Sequence, residues 1–179
     1  MSIISEESIR LENLQQVARL MMLSARTAPK GRGIDTLSIL MVQGDEIIRI
    51  AQQMKIIGKQ KGSEFFLRDA ANIEASGIMI LIGTRIASTG LSYCGICGFE
   101  NCDQKNTHPN TPCTFNNINL GIAIGSAVTV AANHRVDNRI MYTPGLAAIQ
   151  LGIMGNDIKV CMAIPLSCTS KSPFFDRQI

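Results

Sequence analysis

Apolar positions along the chain recur with two periods, and the order of those periods sets the expected elements. Residues 5–25 repeat Leu11, Leu14, Val17, Ala18, Met21 and Met22 at three- and four-residue spacing, which is one buried face of a long helix. Ser5 is placed to cap it, with Glu6 and Glu7 near its positive end. Residues 26–33 break the period, because Pro29, Gly31 and Gly33 disfavour a continuing helix. The period then becomes two over residues 36–43: Leu37, Ile39 and Met41 share one face of a strand, Leu40 and Val42 the other. A helix capped by Asp45 is expected over 46–57, a basic loop over 58–63, and a further helix over 65–76. Residues 78–83 are almost purely apolar between glycines, the pattern of a strand buried on both faces. Beyond residue 113, the pattern predicts a long helix over 120–133 capped by Asn119 and a short helix opened by Thr143-Pro144, ending near Gly152. A third strand follows over 159–164, and residues 165–179 read as a mostly polar tail. Strands alternating with helices predict an α+β fold, helices packed on a small mixed β-sheet, in a single domain over residues 1–179.

Inside that domain, residues 92–115 form a cysteine-rich loop that follows the apolar strand. Cys94, Cys97, Cys102 and Cys113 have the spacing C-x2-C-x4-C-x10-C, which gathers four of the six cysteines. Thiolates are the soft ligands of zinc and of iron–sulfur clusters, and both commonly take four. Gly95 and Gly98 stand directly after the first two cysteines, where a chelating loop doubles back and turns its amides towards sulfur. Pro109 and Pro112 stiffen the return to Cys113. The alternatives are a pair of disulfides or buried free thiols. Structural zinc sites are usually built from two separated cysteine or histidine pairs, whereas a compact triplet plus one distant cysteine suits a 4Fe–4S cubane. The spacing nevertheless matches neither the bacterial nor the plant-type ferredoxin run, and zinc stays open.

Composition narrows the classes further. The chain is 46% hydrophobic and 17% charged, with no Trp, two Tyr and six Phe, so its core is aliphatic and rich in methionine. A net charge of +3 without any basic run argues against nucleic-acid binding. No signal peptide and no apolar run of the ~18 residues a membrane span needs is visible, so a reducing, cytoplasmic setting is expected. Two histidines, His108 within the cysteine loop and His134, make no triad spacing with acidic neighbours. His108 is either a plain loop residue or, for a cluster, an alternative ligand or hydrogen-bond partner. Cys161 is expected as a buried thiol and Cys168 as a more exposed one. Arg26, Lys30, Gly31 and Arg32 form the best clustered phosphate candidates, against the alternative of a solvated basic turn. Residues 120–133 are dense in Gly, Ala and Ser, which lets a core element, a cofactor or a partner subunit approach closely.

Five groups of residues together resemble one family. They are residues 28–35 (Ala-Pro-Lys-Gly-Arg-Gly-Ile-Asp), 94–99 (Cys-Gly-Ile-Cys-Gly-Phe), 120–127, 136–139 (Val-Asp-Asn-Arg), and 164–167 with Phe175-Asp176-Arg177. The chain is similar, nearly end to end, to the prokaryotic ferredoxin-domain-containing proteins of unknown function. That resemblance implies a 4Fe–4S cluster on Cys94, Cys97, Cys102 and Cys113. The order of elements is also similar to the FMN-dependent nitroreductases, which implies their fold, a homodimer, and a flavin at the dimer interface. Their arginine-rich phosphate motif ahead of the first helix has no counterpart, since residues 1–7 hold no cationic side chain; Arg26, Lys30, Gly31 and Arg32 are the candidates in its place. Two functions of different class follow as expectations. One is electron transfer, or flavin-assisted reduction of a small substrate, with a redox partner protein. The other is a non-enzymatic module in which a cluster or zinc stabilises the fold or senses redox state.

Overall fold

The structure, a computed structural model, describes residues 3–175; Asp176 and Arg177 of the family-like motif lie outside them. Four strands form one sheet in the order β1-β2-β4-β3: β1 is Leu37–Gln43, β2 Ile78–Arg85, β3 Asp137–Asn138 and β4 Ile158–Ser167. Every pairing is antiparallel, where a mixed sheet was expected. Two successive helices, α2 (Asp45–Lys61) and α3 (Glu64–Glu74), connect β1 to β2. A single crossover helix would have returned the chain parallel; a pair reverses it once more.

The strand β2 explains the layering. Ile78, Ile80 and Ile82 point to one face, into a cluster with α1 (Glu6–Thr27) and α5 (Thr114–Asn133). Met79 and Leu81 point to the other, against α2, α3 and α6 (Thr143–Gln150). Residues 78–82 are wholly buried, as an apolar run of this kind requires of a central strand. The sheet is therefore sandwiched between two helical layers.

Several elements differ in detail from their expected reading. The helix α1 is capped by the Ser5 side chain as expected, but its buried face runs through Leu14, Ala18, Met21 and Ala25, leaving Leu11 51% exposed. The helix α2 continues through Gly58 to Lys61, so residues 58–61 are not loop, and its N-cap is Gly44 rather than Asp45. A side chain at Gly58 would meet Leu67 at 2.9 Å, so its absence lets α3 pack closely. The helix α5 begins at Thr114, not at residue 120, and Asn119 lies buried within it. β4 runs on to Ser167 and includes Pro165, paired with Met79. Pro165 shares its direction with Ala163, which bonds Met141, and falls in the gap between that bridge and β3.

One helix among the described residues, α5, is long and apolar enough to cross a membrane by length and composition, although its sequence holds no unbroken apolar run of that length. It packs on α1 and on β2.

Candidate metal centre

The cysteine segment leaves the central strand β2 and returns at the N-terminus of α5. Residues 94–98 coil tightly: Gly95 and Gly98 have φ of 72° and 87°, and the Gly98 amide donates to the Gly95 carbonyl at 3.0 Å. These are left-handed angles that cost a side-chain-bearing residue roughly 1–2 kcal/mol. The glycines after the first two cysteines thus serve the turn read from the sequence. A short helix, α4 (Cys102–Asn106), presents the third cysteine. The Asn101 side chain caps it by accepting from the Gln104 amide at 2.9 Å, and the Gln104 side chain accepts from the amide of Glu100, just ahead of the cap, at 2.7 Å.

Cys113 is the N-cap of α5 and is buried. Burial alone would push its thiol up, but the Thr89 amide and hydroxyl and the amides of Phe115 and Asn116 outweigh this and hold it below its ordinary value. Those last two amides lie in the first turn of α5, where thiolate is favoured. Cys94, Cys97 and Cys102 are half-buried, and together with Cys113 they line one narrow recess. Ser88, Thr89, Gly90 and Lys105 line it too. All six cysteines are free thiols. Among the described residues, no three Cys, His, Asp or Glu side chains converge closely enough to hold a single metal ion.

Residues 26–35 brace this segment from below. Arg32, itself at φ 55°, donates to the carbonyls of Thr89 at 3.1 Å and Gly90 at 2.8 Å. The Gly31 amide donates to Asn119 Oδ1 at 3.0 Å, and the Phe115 ring lies against Gly31. Lys30 turns back on the end of α1, where its ammonium donates to the carbonyls of Ala25, Arg26 and Ala28 at 3.2, 2.7 and 2.7 Å. Arg26 pairs with Asp35 at 2.6 Å and donates to the Leu37 carbonyl at 3.1 Å. The four phosphate candidates are therefore neighbours, each engaged with protein acceptors. His108 stacks on Phe99 with ring centroids 4.9 Å apart and is not among the residues lining the recess. Cys161 is buried in β4 and burial pushes its thiol up to about 12, while Cys168 is exposed.

Sequence reasoning missed Thr89, Asn116 and Lys105, and read Asn119 only as a helix cap. Asn116, buried, accepts from the Ala87 amide at 3.1 Å and so fixes the segment before the first cysteine. The signal available for the two asparagines was their polarity at core-facing helical spacing; for Lys105 there was none.

The fold is that of the FMN-dependent nitroreductases. The nitroreductase CinD from Lactococcus lactis superimposes with a TM-score of 0.62 over 92% of this chain and 83% of that one, at 12% identity. The FMN-dependent nitroreductase NfnB from Mycobacterium smegmatis gives 0.59 over 87% and 78%, at 9% identity. A BluB-like flavoprotein from Clostridium difficile gives 0.55 over 96% and 86%, at 13% identity. In sequence, an uncharacterized protein from Archaeoglobus fulgidus is 41% identical over 184 residues, 98% of this chain and 97% of that one. Residues 109–177 match the profile of a family described as "Uncharacterized protein containing a ferredoxin domain (DUF2148)". The chain belongs to that family.

Proposed function

We propose that this protein is an iron–sulfur redox protein that holds one 4Fe–4S cluster on Cys94, Cys97, Cys102 and Cys113. The observation that carries the reading is the arrangement of four free thiols around one recess without convergence on a point. Tetrahedral zinc draws its four sulfurs to about 2.3 Å from a single centre. A cubane is bound at separated corners, so thiols spread around a recess fit it better. The rest of the donor environment agrees: amides and a hydroxyl already face Cys113, and a left-handed glycine turn follows each of Cys94 and Cys97. When bound, the cluster supplies one-electron transfer. The chain's own part is to hold four thiolates, shelter them at the end of a buried strand, and stabilise their charge with amide dipoles. A ferredoxin-domain family on a nitroreductase-like fold supports a redox role.

A second reading adds FMN, favoured by fold neighbours that are FMN-dependent nitroreductases. The protein would then be a flavin-assisted reductase of a small substrate. At residues 26–32 a flavin phosphate would compete with the carbonyls, Asp35 and Asn119 that engage Arg26, Lys30, Gly31 and Arg32. The remaining alternative is a non-enzymatic redox-sensing or zinc-stabilised module. We further propose a homodimer through the outer face of α5, a redox partner protein, and a reducing cytoplasmic setting that suits free thiols.

Anaerobically purified protein is expected to contain about four irons and as many labile sulfides per chain, with the broad visible absorption of a cubane. Stoichiometric zinc without iron, under iron-replete conditions, rejects the cluster. In the same preparation, FMN titration by fluorescence tests the flavin: no saturable binding at high micromolar FMN removes it. If FMN does bind, Arg26→Ala and Arg32→Ala are expected to weaken it roughly ten- to a hundredfold, the loss of one hydrogen bond to a charged group.

A further inference from the structure

We propose that Lys105, which lines the cysteine recess, is the counter-charge of the cluster: its ammonium offsets the charge of the thiolate-bound group and raises its reduction potential. This rests on the cluster reading above and assigns a positioning residue to it. Lys105 follows Cys102 by three residues, one turn along α4, and lines the recess together with all four cysteines. Lysine is among the residues least often buried without a partner, yet Lys105 is 3% exposed.

Lys30 shows how this fold deals with a buried ammonium elsewhere. With a side chain 5% exposed, it donates to three carbonyls and approaches Asp35. Lys105 has no such arrangement. Among the described residues, no hydrogen bond or ion pair reaches its ammonium. The polar side chains around it are engaged elsewhere: Asn101 and Gln104 cap the helix, and Asn106 accepts from Ser88 at 2.6 Å. Asp103 is exposed on the same short helix and makes no ion pair with it. The side chain is buried while its ammonium keeps a small edge to solvent and has no protein partner among the described residues, so an anion in the recess would supply the missing counterpart.

Four thiolates outweigh the positive charge of a cubane core, so the bound group is anionic, and it becomes more so on taking up an electron. A nearby cation in a low-dielectric pocket favours the more negative form. Reduction is then easier with Lys105 present than without it. A zinc–thiolate site is also anionic but takes up no electron, so a shift in potential belongs to the cluster alone.

The test is a reductive titration of the anaerobically purified full chain, followed by visible absorption and electron paramagnetic resonance, for parent, Lys105→Arg and Lys105→Met. Lys105→Met is expected to lower the ratio of reduced to oxidised cluster at a fixed potential about tenfold, a midpoint shift of ~59 mV to more negative values for one electron. Lys105→Arg, which keeps the charge, is expected to stay near the parent. Circular dichroism checks that each variant folds. Iron loading lost in Lys105→Met but kept in Lys105→Arg also supports the counter-charge. Equal midpoints in parent and Lys105→Met overturn it, and so does loss of loading in both variants with secondary structure intact, because charge then decides nothing. A parent that carries zinc and no iron overturns the cluster reading itself, and this inference with it.

Discussion

Asp35 gathers two cations at the end of α1, and the geometry gives its titration a sign. Its carboxylate accepts from the Leu37 amide at 2.9 Å and from Arg26 at 2.6 Å, with Lys30 at 3.9 Å. Burial would raise its pKa, but the Leu37 amide and the two cations hold it below the ordinary carboxylate value. The lower folded-state value means that the stabilisation is complete above the unfolded pKa of about 3.9 and disappears as pH falls through the folded value. Asp35→Asn is expected to cost about 1 kcal/mol at pH 7 in urea unfolding, the upper range for a partly exposed pair, with the gap to the parent closing below about pH 4. A gap that persisted in acid would assign the loss to packing. At this scale the sequence showed which residues carry charge or sulfur but not what they face. Four cysteines in 20 residues mark a candidate chelating loop by spacing alone. Whether Arg32 meets a phosphate or the Thr89 carbonyl depends on a contact 57 residues away, which no local pattern contains.

Elements were legible where one face is apolar and obscure where polar residues do the packing. Period-two alternation located β1, the apolar run located β2, and Pro144 located the start of α6. The first turns of α5 were missed because Thr-Phe-Asn-Asn-Ile-Asn has poor helix propensity; Asn116 and Asn119 are buried only because the amides of Ala87 and Gly31 meet them. The docking of α6 on β4 was equally hidden, and it turns on one residue. A side chain at Gly145 would come within 2.1 Å of the Cys161 carbonyl oxygen. That neighbour is backbone in a paired strand and has no rotamer into which to withdraw. Gly145→Ala is therefore expected to destabilise by about 1–3 kcal/mol despite the better helix propensity of alanine, seen as a lowered melting temperature. An unchanged or raised melting temperature would show that α6 floats over the sheet.

For the whole molecule, the open question is what covers the outer face of α5. Ile118 and Ile122 are 42% and 40% exposed there, Gly121 and Gly125 lie between and beyond them at helical spacing, and nothing stands within 4 Å of where a side chain would begin at either glycine. The neighbouring helix α1 adds Leu20 and Leu23, 44% and 60% exposed. In an isolated chain, Gly121→Ala with Gly125→Ala fills open space and removes two poor helix formers, worth roughly 0.5–1 kcal/mol each in added stability. In a homodimer whose second helix lies against those glycines, the same two methyl groups separate the backbones and weaken the assembly. The two readings thus assign opposite signs to one double substitution. With the dimer, light scattering of the parent gives twice the chain mass, its melting temperature rises with protein concentration, and the double variant loses both properties. A parent of single-chain mass at micromolar concentration, with a double variant that melts higher at every concentration, would leave α5 as an exposed face and remove the dimer.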